Sequence, residues 1–246
     1  MSGHSKWANI KHKKGKVDAI RGKITTKISR EITIAVKLGG SDPTGNMRLK
    51  LALQKARENN VPKENIQRAI QKGAGALEGS NYEEIKYEGY GPGGVAIMVD
   101  AMTDNRNRTA ADVRHLFSKY GGNLGETGCV SWMFKQKGLF VVEHGQAEEE
   151  ELMLLSLDAG AEDFDASEGE FEITSDPDDF EQVLEALEKN NIPTVVARIT
   201  MIPETTAALA GDESIKMMKL LEALEDHDDI QEVYTNFDIP EDMDED

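Results

Sequence analysis

Residues 139–199 read LFVVEHGQAEEEELMLLSLDAGAEDFDASEGEFEITSDPDDFEQVLEALEKNNIPTVVARI, and their patterning decides the fold. Leu139 to Glu143 is a short apolar run of strand character. Glu148 to Ala159 carries Leu152, Leu155 and Leu157 at helical spacing. Glu170 to Thr174 reads as a strand, Phe180 to Lys189 as a helix with Val183, Leu184 and Leu187 on one side, and Val195 to Ile202 as a strand again. Three strand-like runs and two helices are marked, and the segment fits strand, helix, strand, strand, helix, strand, the ferredoxin-like split βαβ arrangement, with one strand between the helices carrying no run of its own.

The flanks repeat the theme. Upstream, Ile85 to Tyr90 and Val95 to Met102 are strand-like, Asn105 to Tyr120 places Ala110, Val113, Leu116 and Phe117 at helical spacing, and Val130 to Phe134 reads as a further strand. Downstream, Ser214 to Glu225 is helical through Ile215, Met218, Leu221 and Leu224, and Ile230 to Asn236 is strand-like. A second unit of the same kind is therefore expected to close across the first, with the strand around Val195 to Pro203 serving or divided between both. The expected fold class is α+β, one ferredoxin-like α/β domain (136–202) inserted in another (77–135 plus 203–246).

Ahead of these lies a helical module, residues 1–76. From Lys16 to Leu38, Ile20, Ile24, Ile28, Ile32 and Ala35 recur every three or four residues, and Gly39-Gly40 ends the run. Helices are also expected from about Gly45 to Asn59 and from Pro62 to Lys72, Pro62 suiting a first turn and Gly73 a stop. The periodic pattern breaks over Ala74 to Ser80, which sets a domain boundary between Lys72 and Asn81.

Charge changes sign at that boundary. Residues 1–72 hold 17 Lys and Arg against 5 Asp and Glu, and the remainder holds 11 against 41, giving a chain of net charge −18. A uniformly acidic surface repels phosphate. A basic module on an acidic body can still grip phosphate locally, so nucleic acid is the leading partner, with a basic protein as a further partner for the acidic body. The single cysteine, Cys129, excludes an internal disulfide and fits a reducing compartment. No apolar run follows the basic residues at the N-terminus, and none approaches a membrane span, so a cytoplasmic protein without membrane attachment is expected.

The first helix carries Lys16, Lys23, Lys27, Arg30 and Lys37 as a second stripe beside the apolar one, with only Asp18 and Glu31 to balance it. Before it, His4 to Lys16 combines five Lys, two His and Trp7 with too few apolar residues to pack alone. Such an arm can order on a phosphate backbone with Trp7 stacked on an unpaired base. The alternative is a basic tail with Trp7 tucked against the bundle.

Other motifs carry less. Gly89-Tyr90-Gly91-Pro92-Gly93-Gly94 satisfies G-x-G-x-x-G, but a strand-like run follows where a dinucleotide site needs a helix N-terminus, so a tight strand connection is expected and no cofactor. The five His are scattered and Cys129 is alone, so neither a metal site nor a nucleophile constellation is indicated, and no small-molecule substrate or catalytic residue is expected. Asp104-Asn105-Arg106-Asn107-Arg108-Thr109 sets Arg106 and Arg108 at a helix start. That composition suits either a second RNA or protein contact or a structural salt-bridge corner.

Gly3-His4-Ser5-Lys6-Trp7-Ala8-Asn9-Ile10-Lys11-His12, Arg21-Gly22-Lys23, Tyr87 to Gly94, Asp104 to Thr109 and Gly121-Gly122-Asn123-Leu124-Gly125 together resemble the YebC/PmpR family, whose mitochondrial relative is the translational activator of cytochrome c oxidase. The resemblance covers essentially the whole chain. It implies a helical N-terminal domain and two ferredoxin-like domains, one inserted in the other. It also implies a basic contact surface on Ser5, Lys6, Trp7, Asn9, Lys11, His12, Lys13, Lys14, Arg21, Lys23, Lys27 and Arg30. Bacterial members are described as DNA-binding transcriptional regulators, while the mitochondrial relative and some bacterial members are linked to translation on the ribosome.

A non-enzymatic nucleic-acid-binding regulator of gene expression is therefore expected. Without a convincing helix-turn-helix in the sequence, and with Trp7 suited to unpaired bases, structured RNA on the ribosome is favoured over duplex DNA. A DNA-binding transcriptional regulator and an acidic protein-interaction adaptor are the alternatives.

Overall fold

The computed structural model describes residues 21–75, 81–167 and 169–239. They form two compact units, one built from residues up to 131 together with 210–235, the other from 132–209 together with the residues after 235.

The first unit opens with three helices, α1 (Arg21–Gly39), α2 (Met47–Glu58) and α3 (Lys63–Gly73). Their shared core joins Ile28, Ile32, Ala35 and Val36 of α1 to Leu49, Ala52 and Ala56 of α2, to Val61 in the connection and to Ala69 of α3. The expected stop at Gly39-Gly40 has a physical cause in Asn46. This buried side chain caps α2 by accepting from Leu49 N at 3.1 Å, and donates to Ala35 O and Gly40 O at 2.8 Å each. A Cβ at residue 39 would lie 2.6 Å from the Asn46 amide nitrogen, and Gly40 adopts φ +84°.

The α2–α3 connection is four residues long. Asn60 takes the left-handed conformation at φ +53°, and Val61 N donates back to Ala56 O at 2.9 Å, a Schellman stop in which Asn replaces Gly and the following apolar residue is buried. At its far end α3 packs closely on α1. A Cβ at Gly73 would sit 2.5 Å from Thr33 O and 2.7 Å from Val36 Cβ. Because a backbone oxygen cannot yield as a side chain can, Gly73→Ala is expected to cost about 1–3 kcal/mol, partly offset by alanine's better helix propensity. A lowered urea midpoint at unchanged m-value checks this.

The chain continues through β1 (Glu83–Tyr90), β2 (Ala96–Thr103), α4 (Arg106–Lys119) and the two-residue β3 (Asn123–Leu124). The second unit then holds β4 (Phe134–Glu143), α5 (Glu149–Asp158), β5 (Ala161–Ser167), β6 (Glu170–Ser175), α6 (Phe180–Lys189), β7 (Val196–Pro203) and β8 (Ala207–Ala208). The first unit resumes with α7 (Gly211–Glu225) and β9 (Ile230–Thr235), and β10 (Phe237–Asp238) returns to pair in parallel with β8.

In the second unit the sheet order is β5-β6-β4-β7, antiparallel throughout, which is the ferredoxin-like order for strand, helix, strand, strand, helix, strand. Phe140 of β4 stacks on Phe180 of α6 at 4.8 Å between ring centroids. The first unit's sheet, β3-β1-β2-β9, is also antiparallel. A Cβ at Gly89 would meet Phe117 of α4, and one at Gly91 would meet Met217 of α7, so both helices pack on the same face as these alternate positions.

The glycine-rich 89–94 stretch turns the β1–β2 hairpin, with Gly91 N bonded to Val95 O at 2.8 Å and positive φ at Gly93 and Gly94. Two strand expectations need correction. Val130 to Phe134 is not one strand, because Ser131–Met133 forms a 3₁₀ turn and Phe134 begins β4. The third strand of the first sheet is instead Asn123–Leu124, too short to leave a periodic trace. The strand around Val195 to Pro203 is not divided: the whole of β7 pairs with β4, from Phe134↔Pro203 to Val141↔Val196.

Candidate nucleic-acid interface

Of the expected contact residues, Ser5, Lys6, Trp7, Asn9, Lys11, His12, Lys13 and Lys14 lie outside the described residues, as does the side chain of Arg21 at the start of α1. Lys23, Lys27 and Arg30 share one face of α1, and that face meets the corner between α7 and β9. Lys23 Nζ donates to Asp226 O at 3.0 Å, and Lys27 Nζ to Glu225 O at 2.6 Å. Arg30 Nη1 reaches Asp228 O at 2.8 Å, Asp229 Oδ1 at 2.9 Å and Met102 O at 3.2 Å. The guanidinium also lies 5.0 Å from the centroid of the Tyr82 ring. Burial pulls the Lys27 ammonium below its ordinary range, against the raising effect of Glu232 and Glu225.

Asp229 is the centre of this corner. Its buried carboxylate takes Arg30 on one oxygen, and on the other Arg108 Nη2 at 2.9 Å, Thr109 Oγ1 at 2.8 Å and Thr103 Oγ1 at 3.3 Å. Burial opposes its ionisation most strongly. The hydrogen bonds from Arg108, Thr109 and Arg30 outweigh that and bring its pKa down to about 2. Arg108 also pairs with Asp104 at 3.1 Å, and Arg106 with Glu83 at 3.3 Å, so both arginines stand in ion pairs. Asn105 caps α4 by accepting from Arg108 N. Further pairs tie the helical module to the first sheet: Arg48 with Glu84 at 2.6 Å and Lys55 with Glu232 at 3.2 Å.

The outer side of α3 is different. Lys63, Glu64, Gln67, Arg68, Gln71 and Lys72 are all exposed, two per turn over three turns. None of these side chains makes a hydrogen bond or ion pair with another described residue. The sequence reading overlooked both this face and Asp229. The i, i+4, i+8 spacing of exposed Lys63, Gln67 and Gln71 was a signal for the first; nothing local marks Asp229 among its acidic neighbours.

At Cys129, burial and then the Glu88 charge push the thiol above its ordinary range, which disfavours the thiolate a nucleophile needs. Glu88 itself is buried and accepts from Gly128, Val130 and Ser131 N at 2.8–2.9 Å, so its charge holds a loop. No group of His, Cys, Asp and Glu suited to a metal ion occurs among the described residues, and no helix among them is long and apolar enough to cross a membrane.

A basic three-helix module joined to two α/β sandwiches, one interrupting the other, defines the class. The chain belongs to the TACO1/YebC family: the family's N-terminal domain matches residues 5–76, and its second and third domains match residues 82–237. A Natranaerobius thermophilus relative named a probable transcriptional regulatory protein is 59% identical, the match covering 99% of this chain and 98% of that one. A relative of the same name from Pelotomaculum thermopropionicum is 58% identical, covering 97% and 99%. The crystal structure of a conserved hypothetical protein from Aquifex aeolicus superimposes with a TM-score of 0.85 at 51% identity, over 96% of this chain and 98% of that one.

Proposed function

We propose that this chain is a non-enzymatic, nucleic-acid-binding regulator of gene expression that holds duplex DNA through its N-terminal module. The observation that carries this is the division of charge: 17 Lys and Arg against 5 Asp and Glu in residues 1–72 of a chain whose net charge is −18. A basic end supplies sequence-independent attraction to phosphate, and the acidic body limits accumulation on the rest of the polymer. The names of the relatives support a role in transcription. The four-residue connection between α2 and α3 is of the length found in helix–turn–helix units.

In this reading Ser5, Lys6, Trp7, Asn9, Lys11, His12, Lys13, Lys14 and Arg21 make the grip. Lys23, Lys27 and Arg30 serve it indirectly, by fastening the module to the α7–β9 corner. A second reading, a translation factor on ribosomal RNA, is favoured by Trp7, whose indole within a run of lysines suits stacking on an unpaired base. Crosslinking in living cells with the full-length protein, sequencing both recovered DNA and recovered RNA, decides between them. Promoter DNA is the expected product; ribosomal RNA alone would replace the first reading with the second.

A further inference from the structure

The exposed side of α3 carries cations and amides that make no hydrogen bond or ion pair with other described side chains, whereas on the similarly basic face of α4 Arg106 and Arg108 stand in ion pairs. The exposed stripe of α3 holds Lys63, Gln67, Arg68, Gln71 and Lys72 with Glu64 as its one acid. Helix stability does not ask for Lys63, which stands at the first position of α3, where a cation opposes the macrodipole. Gln and Arg are the side chains that make bidentate bonds to adenine and to guanine in the major groove. Their spacing puts Gln67 and Gln71 one turn apart, with Arg68 beside Gln67.

The inner side of α3 is fixed in the three-helix core. The four-residue turn after α2 contains left-handed Asn60 and buried Val61, and α3 seats its other side on α1 through Ala69, Ile66 and Ile70. The helix is thus backed by packed side chains on one side, and Lys63, Gln67, Arg68, Gln71 and Lys72 on the other side are exposed.

We propose that α3 is the base-reading helix of this protein, inserting Gln67, Arg68 and Gln71 into the major groove of duplex DNA while Lys63 and Lys72 neutralise flanking phosphates. The inference rests on the nucleic-acid-binding reading given above and adds sequence discrimination to it. Acting through the major groove excludes A-form RNA as the occupant, since that groove is too narrow for a helix.

The test is selection from a random duplex DNA pool with the full-length protein and with its Gln67→Ala, Arg68→Ala and Gln71→Ala variants, all at exposed positions and each checked for an unchanged melting temperature. The wild type enriches a motif. Arg68→Ala weakens binding to that motif roughly ten- to a hundredfold and relaxes one position, while affinity for scrambled duplex and its salt dependence barely change. Selection without a motif, a motif that all three variants share with the wild type, or binding to structured RNA but not to duplex DNA overturns the role of α3 and leaves nucleic-acid binding standing. Failure to bind any nucleic acid overturns both.

Discussion

Reversing the charge of Lys11, Lys13 and Lys14 together to Glu reduces affinity for duplex DNA by about a thousandfold or more at moderate salt, and lowers the slope of log affinity against log salt by about three. The magnitude follows from counterion release: each lysine that neutralises a phosphate contributes close to one unit of slope, and each new glutamate adds repulsion. These lysines stand in a segment with 17 cations against 5 anions, so little else in their neighbourhood offsets them. Anisotropy titrations of full-length wild type and variant at several salt concentrations check both numbers. Equal affinity and slope in the two proteins would remove these lysines from the mechanism.

Asp229→Asn lowers the stability of the first unit by about 2–4 kcal/mol at neutral pH. The substitution removes the charge facing Arg30 and Arg108, and Arg30 has side-chain exposure of only 15%, so its cation loses a partner that water replaces poorly. The pH dependence has a definite sign. With the folded-state pKa depressed to about 2, the carboxylate contributes in full above its unfolded value, near 4, and the contribution disappears as pH falls from there through the folded value. The urea-unfolding difference between wild type and Asp229→Asn is therefore constant from pH 7 to about 4 and narrows below that. A difference absent at pH 7, or narrowing already between pH 7 and 5, contradicts this account.

The inserted unit was legible in the sequence because α6 gathers Val183, Leu184 and Leu187 on one buried side, β4 carries the continuous apolar run Leu139 to Val142, and β6 sets Phe171 and Ile173 two apart. Strand β5, AEDFDAS, was not among the strand-like runs, since an acidic edge strand with Phe164 as its one large apolar side chain leaves no strand period to find. The assignment of β7 depended on pairing with β4, which no local pattern encodes. The stripe of Lys23, Lys27 and Arg30 was correctly seen as one helix face, but its partners at Glu225 to Asp229 lie about two hundred positions away, beyond the reach of any local reading. The left-handed stop at the end of α2 escaped for a smaller reason. Asn60 occupies the left-handed turn position where glycine is the usual signal, so the sequence around Asn59-Asn60-Val61-Pro62 reads only as a helix boundary.

The measurement that bears most directly on the central claim is the salt dependence of binding between the unmodified full-length protein and duplex DNA. A log–log slope steeper than about −4, from several phosphates neutralised at once, is the predicted result. Undetectable binding at low salt, or an affinity indifferent to salt, would contradict a basic module that works by gripping a phosphate backbone.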